Sequence, residues 1–213
     1  MQAWPVIPLA AAGLFIVEFI TFFDNAVVAL GNRIGIGALL LRLNRLRFLL
    51  HAVLIGCLIP VYAGIGQLAG ATGFASTAFS IGIGLLTLFV ILFGYFVGFR
   101  NVRPIMPVNY YGCLRYAQSV NADSRLDDYL YSDAELQQKG FPPLTSILTV
   151  TLGLILSLWI GFTTGFWLPA VVSGLMMLAG RLPANAFGAF ATSCLEILFS
   201  AGILWSLITL AGT

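Results

Sequence analysis

The chain has 213 residues, of which 60% are hydrophobic and 8% are charged, and its mean hydropathy is +0.99. Soluble domains carry about 25% charged residues, so this composition excludes a soluble globular domain and predicts an integral membrane protein. The ten basic residues stand in short clusters beside apolar runs. That placement excludes nucleic-acid binding as a main role.

Apolar runs long enough to cross a bilayer follow one another along the chain. A hydrocarbon core of about 30 Å takes roughly 20 helical residues, and five runs qualify: about 5–30, 48–71, 77–99, 144–165 and 187–210. The first has no basic n-region, so we expect a retained span and not a cleaved signal peptide. A sixth run, 167–181, is short and fits either a tilted span or a re-entrant segment; we favour a span. The prediction is an all-α polytopic membrane helix bundle with about six transmembrane helices.

The basic residues predict an orientation. If all six runs cross, every Lys and Arg lies on one side of the membrane, at 33–47, at 100–139 and at Arg181. The positive-inside rule assigns that side to the cytoplasm. We therefore expect a multi-pass protein of the inner (plasma) membrane, with both termini outside and a cytoplasmic 100–143 loop.

The 100–143 loop separates two membrane halves, 1–99 and 144–213, with three expected spans each. An odd number of spans gives the halves opposite orientations, which is compatible with an inverted 3+3 repeat. Within the loop, Ser132 and Glu135 have capping-box spacing, so we expect one or two short helices there. The Arg-rich stretch LLLRLNRLRFLLH before the second span predicts an elbow on the membrane surface.

Three acidic residues lie inside expected spans: Glu18 and Asp24 in the first, and Glu196 in the last. No basic residue stands within those two spans to pair with them. A carboxylate near mid-bilayer costs about 2.5–3.5 kcal/mol even on lenient scales. Each must therefore be protonated and hydrogen-bonded across helices, face a hydrated cavity, or bind a cation.

Helical geometry groups some of these side chains. At 100° per residue, Glu18, Thr21 and Asn25 fall within about 60° of one another, whereas Asp24 lies about 120° from Glu18. Carboxylate, hydroxyl and amide oxygens suit hard cations such as Mg²⁺, Ca²⁺ or Mn²⁺. The pattern favours a cation site in the first span, with Glu196 and Ser200 as helpers from the last span.

The remaining reactive residues indicate no enzyme. Cys57, Cys113 and Cys194 stand far apart, with the spacing of neither a zinc site nor a disulfide framework. The lone histidine, His51, is expected to form a hydrogen bond near the membrane interface. The chain has no GxSG or HExxH motif and no spacing that pairs a nucleophile with a base. We expect no catalysis and no cofactor beyond a transported divalent cation.

The stretch EFITFFDNAVVAL resembles the first-span motif of the TerC family, roughly E-x-x-L-S-x-D-N-A. Glu18, Asp24, Asn25 and Ala26 match it, whereas Phe22 stands at the Ser position, one residue after Thr21. The family's second acidic motif has a partial counterpart in EILFSAGI, where Gly202 takes the place of an Asp. The resemblance covers about 15 residues well, and the family usually has more spans. It implies a divalent-cation (manganese-like) transporter with Glu18, Asp24 and Asn25 as ligands.

Two hypotheses follow. The first is a divalent-cation transporter, and the second is a non-catalytic membrane subunit of a larger assembly. The direction in which Glu18 and Asp24 face, toward this chain or toward an absent partner, discriminates between them. Besides the lipid bilayer, we expect contacts with a second copy or with other subunits through small-residue helix faces. These faces are Gly66-x-x-x-Gly70, Gly94-x-x-x-Gly98 and Gly161-x-x-x-Gly165.

Overall fold

The computed structural model describes residues 6–101, 105–110, 112–140, 142–179 and 184–212, with the backbone alone at 6–7, 179 and 184–193. It confirms an all-α polytopic membrane helix bundle. Five helical stretches in the described residues are long and apolar enough to span a membrane: 8–34, 38–68, 77–99, 144–164 and 194–211. Arg181, which entered the orientation argument, lies outside the described residues.

The first half of the chain begins with a long helical hairpin. Helix α1 (Val6–Ile34) ends at Gly35, whose φ of 76° stops the helix, and helix α2 (Ala38–Leu54) follows at once. A 3₁₀ turn, Ile55–Cys57, leads from α2 into α3 (Leu58–Leu68) without a break in the helical path. The Arg-rich stretch was predicted to form an elbow on the membrane surface. Instead of forming a separate element, it continues without a break into the second spanning stretch.

The other spanning stretches flank this hairpin. Helix α4 (Thr77–Phe93) starts at Ser76, whose side chain accepts a hydrogen bond from the Phe79 N–H, and continues as a π-helical turn, Gly94–Phe99. In the second half, α6 (Leu144–Thr164) and α8 (Ala184–Ala211) are long. Between them lies α7 (Leu168–Ala179).

Helix α7 departs from the prediction of six spans. Its 12 residues rise about 18 Å, well short of the roughly 30 Å core of a bilayer. The predicted run continued to 181, and residues 180–183 lie outside the described part of the chain. Five described stretches therefore have spanning length and the described part of α7 does not. The prediction that both termini lie outside required an even number of spans, so it loses this support.

Helix α3 is the centre of the bundle. Its residues from Leu58 to Gly66 are buried except Pro60, because α1, α4, α6 and α8 all pack around it. Tyr62 reaches from α3 to Ser173 of α7, with 2.6 Å between the two hydroxyl oxygens, and its ring lies against Gly153 of α6. The two halves of the chain thus share one core.

The glycines of the predicted helix-contact motifs are used within this chain. A Cβ on Gly66 would overlap the Phe74 ring, one on Gly94 would overlap the Ala52 carbonyl, and one on Gly161 would meet the Trp167 ring. Gly70 and Gly165 have positive φ and end α3 and α6. The expected second copy or partner subunit therefore loses the support of these motifs and stays a prediction.

The 100–143 loop contains a β-hairpin that the sequence analysis missed. Strands β1 (Met106–Tyr110) and β2 (Cys113–Ala117) pair antiparallel. The expected short helix is confirmed as α5 (Asp133–Gln137). It has the complete capping box: the Ser132 side chain accepts from the Glu135 N–H, and the Glu135 carboxylate accepts from the Ser132 N–H. A 3₁₀ turn, Ala122–Ser124, precedes α5.

Strand β2 lies directly on the α1–α2 hairpin. Gly31 of α1 has no side chain to keep the strand away, and a Cβ there would overlap the Leu114 carbonyl oxygen. The Asn32 side chain donates to Gly112 O at 2.7 Å and accepts from the Leu114 N–H at 2.7 Å. Asn44 of α2 accepts from the Tyr116 N–H at 3.3 Å. These contacts fix the loop against one end of the bundle.

Candidate functional site

Asp24 finds a partner inside this chain. Nε of Arg47 lies 3.2 Å from Oδ1 of Asp24, and the Arg47 side chain is 6% exposed. The partner of Asp24 thus comes from outside the two spans that carry the acidic residues, a possibility that the sequence analysis did not consider. Both residues stand at nearly the same distance along the chain from the turn at Ile36. In an antiparallel helix pair such residues face each other, and this was the signal in the sequence.

The ion pair opens onto a cavity of about 370 Å³. Its walls come from α1, α2, strand β2 and the start of α6, so the loop and both membrane halves contribute. The charged and polar side chains that line it are Asp24, Arg47, His51, Arg115, Gln118, Ser119, Thr145 and Ser146. Pockets of about 300–1,000 Å³ with few polar groups are typical of small-molecule sites.

Two arginines with unsatisfied atoms face this cavity. Arg47 stacks over the Phe48 ring at 5.1 Å, and its Nε and Nη1 have no hydrogen-bond acceptor among the described residues, because the contact with Asp24 is close but poorly aligned. Arg115 lies over the Tyr110 ring at 3.4 Å, and its Nε is also unsatisfied there. Burial, and then repulsion from Arg47, lower the pKa of Arg115 to about 10, which leaves it charged at neutral pH.

His51 joins α2 to α6 in the same cavity. Its Nε2 lies 2.9 Å from Ser146 Oγ, which confirms the expected hydrogen-bonding role. Ser146 belongs to the first turn of α6, so this bond positions the start of that helix against α2.

Glu18 lies in different surroundings. It lines an apolar groove of about 390 Å³ formed by α1, Leu68 at the end of α3, and Leu204, Leu207 and other residues of α8. Its Oε1 is buried and has no hydrogen-bond partner in the described part of the chain. The structure therefore separates Glu18 from Asp24, as their helical angle predicted.

The remaining predicted ligands divide into two groups. Asn25 lies beside Glu196 of α8, close enough for its side-chain amide to interact with that carboxyl group, and Asp24 acts on Glu196 electrostatically. The Thr21 hydroxyl instead donates to Val17 O at 3.0 Å, within its own helix. Ser200 is half-buried one turn after Glu196 and shares its helix face. Of the six predicted residues, the structure brings Asp24, Asn25 and Glu196 together.

This group offers few ligands for a cation. No cluster of three or more His, Cys, Asp or Glu side chains that could hold a metal occurs in the residues that the structure describes. Asp24, Asn25 and Glu196 offer two carboxylates and one amide carbonyl, all hard oxygen donors. Small divalent cations keep several waters when proteins bind them through one or two carboxylates, so this donor set fits such an ion once Arg47 releases Asp24.

Comparison with known proteins returned no relative: no family model, no curated protein and no solved structure matches the chain. The resemblance of the first span to the TerC motif therefore stays a prediction that rests on the motif residues alone.

Proposed function

We propose that this protein is an inner-membrane transporter of divalent cations in which the cargo ion competes with Arg47 for Asp24. The carrying observation is the position of Asp24, which is ion-paired with Arg47 in α2, on a helix that also contacts α8 near Glu196. A carboxylate between a positive and a negative group can exchange one cation for another. The pairing of Asp24 within this chain also favours the transporter over the subunit role, because the subunit hypothesis expects Asp24 to face an absent partner.

Charge balance describes the exchange. Without an ion, Arg47 compensates Asp24, and the second carboxylate, Glu196, lies beside the Asn25 amide. A divalent ion among Asp24, Asn25 and Glu196 would neutralise both carboxylates and release the Arg47 guanidinium toward the cavity. The arginine thus acts as a tethered cation that holds the empty site in a defined state.

The location of the exchange suggests a direction of access. Asp24 and Arg47 line the cavity on the side of the 100–143 loop, which we assign to the cytoplasm from the charge distribution. An ion would reach Asp24 through that cavity and Glu196 from the interior of the bundle. Glu18, in its separate groove, takes no part.

Calorimetric titration of Mn²⁺ into the purified full chain tests this proposal. Asp24→Asn and Glu196→Gln should each weaken binding by about tenfold or more, since contacts with charged groups contribute about 1.5–3 kcal/mol. Arg47→Gln should strengthen binding, because it removes the competitor. Asp128→Asn, in the exposed part of the loop, is the matched control and should bind like the wild type.

Transport is measured with the same variants in vesicles that contain a Mn²⁺-sensitive dye. Uptake should follow the binding order for Asp24→Asn and Glu196→Gln. A well-folded wild type that binds no Mn²⁺, or variants that bind it as well as the wild type, would refute the proposal. The role of a membrane subunit would then be the better hypothesis, and co-purification would be the next experiment.

A further inference from the structure

The cavity beside Asp24 carries more positive than negative charge. Of its lining side chains, Arg47 and Arg115 are cationic and Asp24 is anionic, so one positive charge remains without a counter-charge in the lining. A buried charge without a partner costs several kcal/mol. The proposed cation centre, formed by Asp24, Asn25 and Glu196, does not remove this excess, because a cation bound there would also separate Arg47 from the Asp24 carboxylate.

The arginine atoms that remain unsatisfied are themselves buried, in a buried side chain at Arg47 and in a partly buried one at Arg115. Arg47 is 5% exposed, and its Nη1 has no acceptor in the described residues. Nε of Arg115 is likewise buried without an acceptor. Guanidinium groups bind carboxylates and phosphates through pairs of N–H donors, so two guanidinium groups that line one cavity and lack acceptors for some of their N–H groups favour an anionic group between them.

The start of α6 supplies donors to the same cavity. The first hydrogen bond of the regular helical pattern is made by the Ile147 N–H to Pro143 O at 3.0 Å, so the N–H groups of Thr145 and Ser146 precede it. Pro143 at the N-cap provides no side-chain cap, and no acidic residue stands in the first turn. Thr145 is 2% exposed, with its hydroxyl unsatisfied in the described part of the chain. A helix N-terminus with free N–H groups attracts anions.

We propose that this cavity binds a phosphoryl group, held by Arg47 and Arg115 on one side and by the α6 N-terminus with Thr145 on the other. Three elements that are distant in the sequence present donors to one space, and donors without acceptors are what such a group requires. The volume of about 370 Å³ has room for a phosphate together with the small group that carries it. The inference does not depend on cation transport, because Arg115 and Thr145 are outside the cation centre.

Inorganic phosphate is the probe for the first test. Titration into the full chain in detergent, with chloride at equal ionic strength as the blank, should give saturable binding. Arg115→Gln should weaken it by about tenfold or more, the loss expected for one charge-assisted contact. Arg125→Gln, an exposed arginine in the same loop, is the matched control and should leave binding unchanged.

Thr145→Asp keeps the test decisive if Arg115→Gln does not fold. The new carboxylate would lie at the α6 N-terminus inside the cavity and would take the place of the anion. We expect a higher melting temperature without phosphate, and no further rise when phosphate is added. A lower melting temperature, or a phosphate response like that of the wild type, would overturn the inference.

The source of the phosphoryl group is found by lipid analysis. The wild type and Arg115→Gln are purified from membranes of phosphatidylethanolamine and phosphatidylglycerol, and the retained lipid is measured by mass spectrometry. Phosphatidylglycerol that the wild type keeps, that Arg115→Gln loses and that phosphate displaces would assign the site to a lipid headgroup. Phosphate binding without retained lipid would assign it to a soluble phosphate. Phosphate binding that Arg125→Gln weakens as much as Arg115→Gln does, or no binding of phosphate or lipid, would overturn the inference.

Discussion

Helix α1 carries two carboxylates at positions 18 and 24, and their surroundings are opposite in kind. Asp24 has a guanidinium 3.2 Å away and a cavity lined by polar groups from three further elements. Glu18 has a buried oxygen with no partner in the part of the chain that the structure describes, and a groove of apolar side chains from α3 and α8. The same residue class on one helix is thus ion-paired at the loop end of the bundle and, among the described residues, without a partner toward the other end.

The difference comes from the neighbouring elements, not from α1 itself. The loop end receives α2 with its arginines, the β-hairpin and the first turn of α6, whereas the Glu18 groove receives only apolar helix ends. A carboxylate in a membrane is therefore informative only together with the helix that faces it.

The largest effect should follow from breaking the Asp24–Arg47 pair. Arg47→Gln leaves Asp24 unpaired, and losing one partner of a buried pair costs about 3–5 kcal/mol. Because 35% of the Asp24 side chain is exposed, we expect about 3 kcal/mol in denaturant unfolding in micelles. Mn²⁺ should restore part of this loss. The double variant with Asp24→Asn should be more stable than Arg47→Gln alone; an additive loss would show that the pair is not coupled.

The second-largest effect should follow from disturbing the contact between the β-hairpin and helix α1. Gly31→Ala places a Cβ against the Leu114 carbonyl, and such overpacking costs about 1–3 kcal/mol. Hydrogen exchange should show faster exchange in β2, with little change in α3. Gly82→Ala in α4 is the control: its added Cβ meets nothing within 4 Å, so it should be neutral or slightly stabilising. Equal responses of the two variants would contradict the docking described here.

A third variant tests the surroundings of Glu18. Glu18→Leu removes a buried oxygen that has no partner in the described residues, and such a group costs about 1–3 kcal/mol. We expect a gain of about 1 kcal/mol in unfolding free energy and unchanged Mn²⁺ binding. Glu18→Gln keeps a polar group in the groove and should give a smaller change. Lost Mn²⁺ binding in Glu18→Leu would show that the two carboxylates work together after all.

The smallest effect is a pH response confined to the loop. Hydrogen bonds from the Ser132 backbone and hydroxyl lower the pKa of Glu135 below its ordinary value. A lowered pKa in the folded state means that the cap stabilises α5 at neutral pH and is lost as the pH falls through the acid range toward that pKa. Amide protection in α5 should therefore fall on acidification. Glu135→Gln should abolish that dependence, whereas Ser132→Ala, which keeps the backbone donor, should only weaken it. Protection that is independent of pH would argue against the charged cap.

Much of the fold could be predicted, because apolar length and capping chemistry are local properties. The helical stretches, the Ser132 cap and the angular separation of Glu18 from Asp24 are all written in short spans of sequence. The Asp24–Arg47 pair could not be derived from α1 alone, since it depends on the turn that folds α2 back. The tight α1–α2 turn, once located, would have indicated it.

The β-hairpin and the cavity were beyond local patterns. Gly112, with a φ of 82° just before β2, is a hairpin signal, but a hairpin of this size is unstable without a surface to pack on. That surface is Gly31 with Asn32 and Asn44, more than 60 residues earlier in the chain. The α6 N-terminus likewise becomes a cavity wall only after both halves have packed around α3.

The asparagine contacts of the β-hairpin also limit its pairing with strands of another chain. A two-stranded sheet has two open edges, and each is a template for another chain. On β2, the outward N–H groups of Leu114 and Tyr116 are taken by Asn32 and Asn44. On β1, Pro107 has no N–H to offer, and its carbonyl accepts from the Tyr131 hydroxyl at 2.6 Å. These contacts occupy part of both edges, so another strand finds fewer free groups there to pair with.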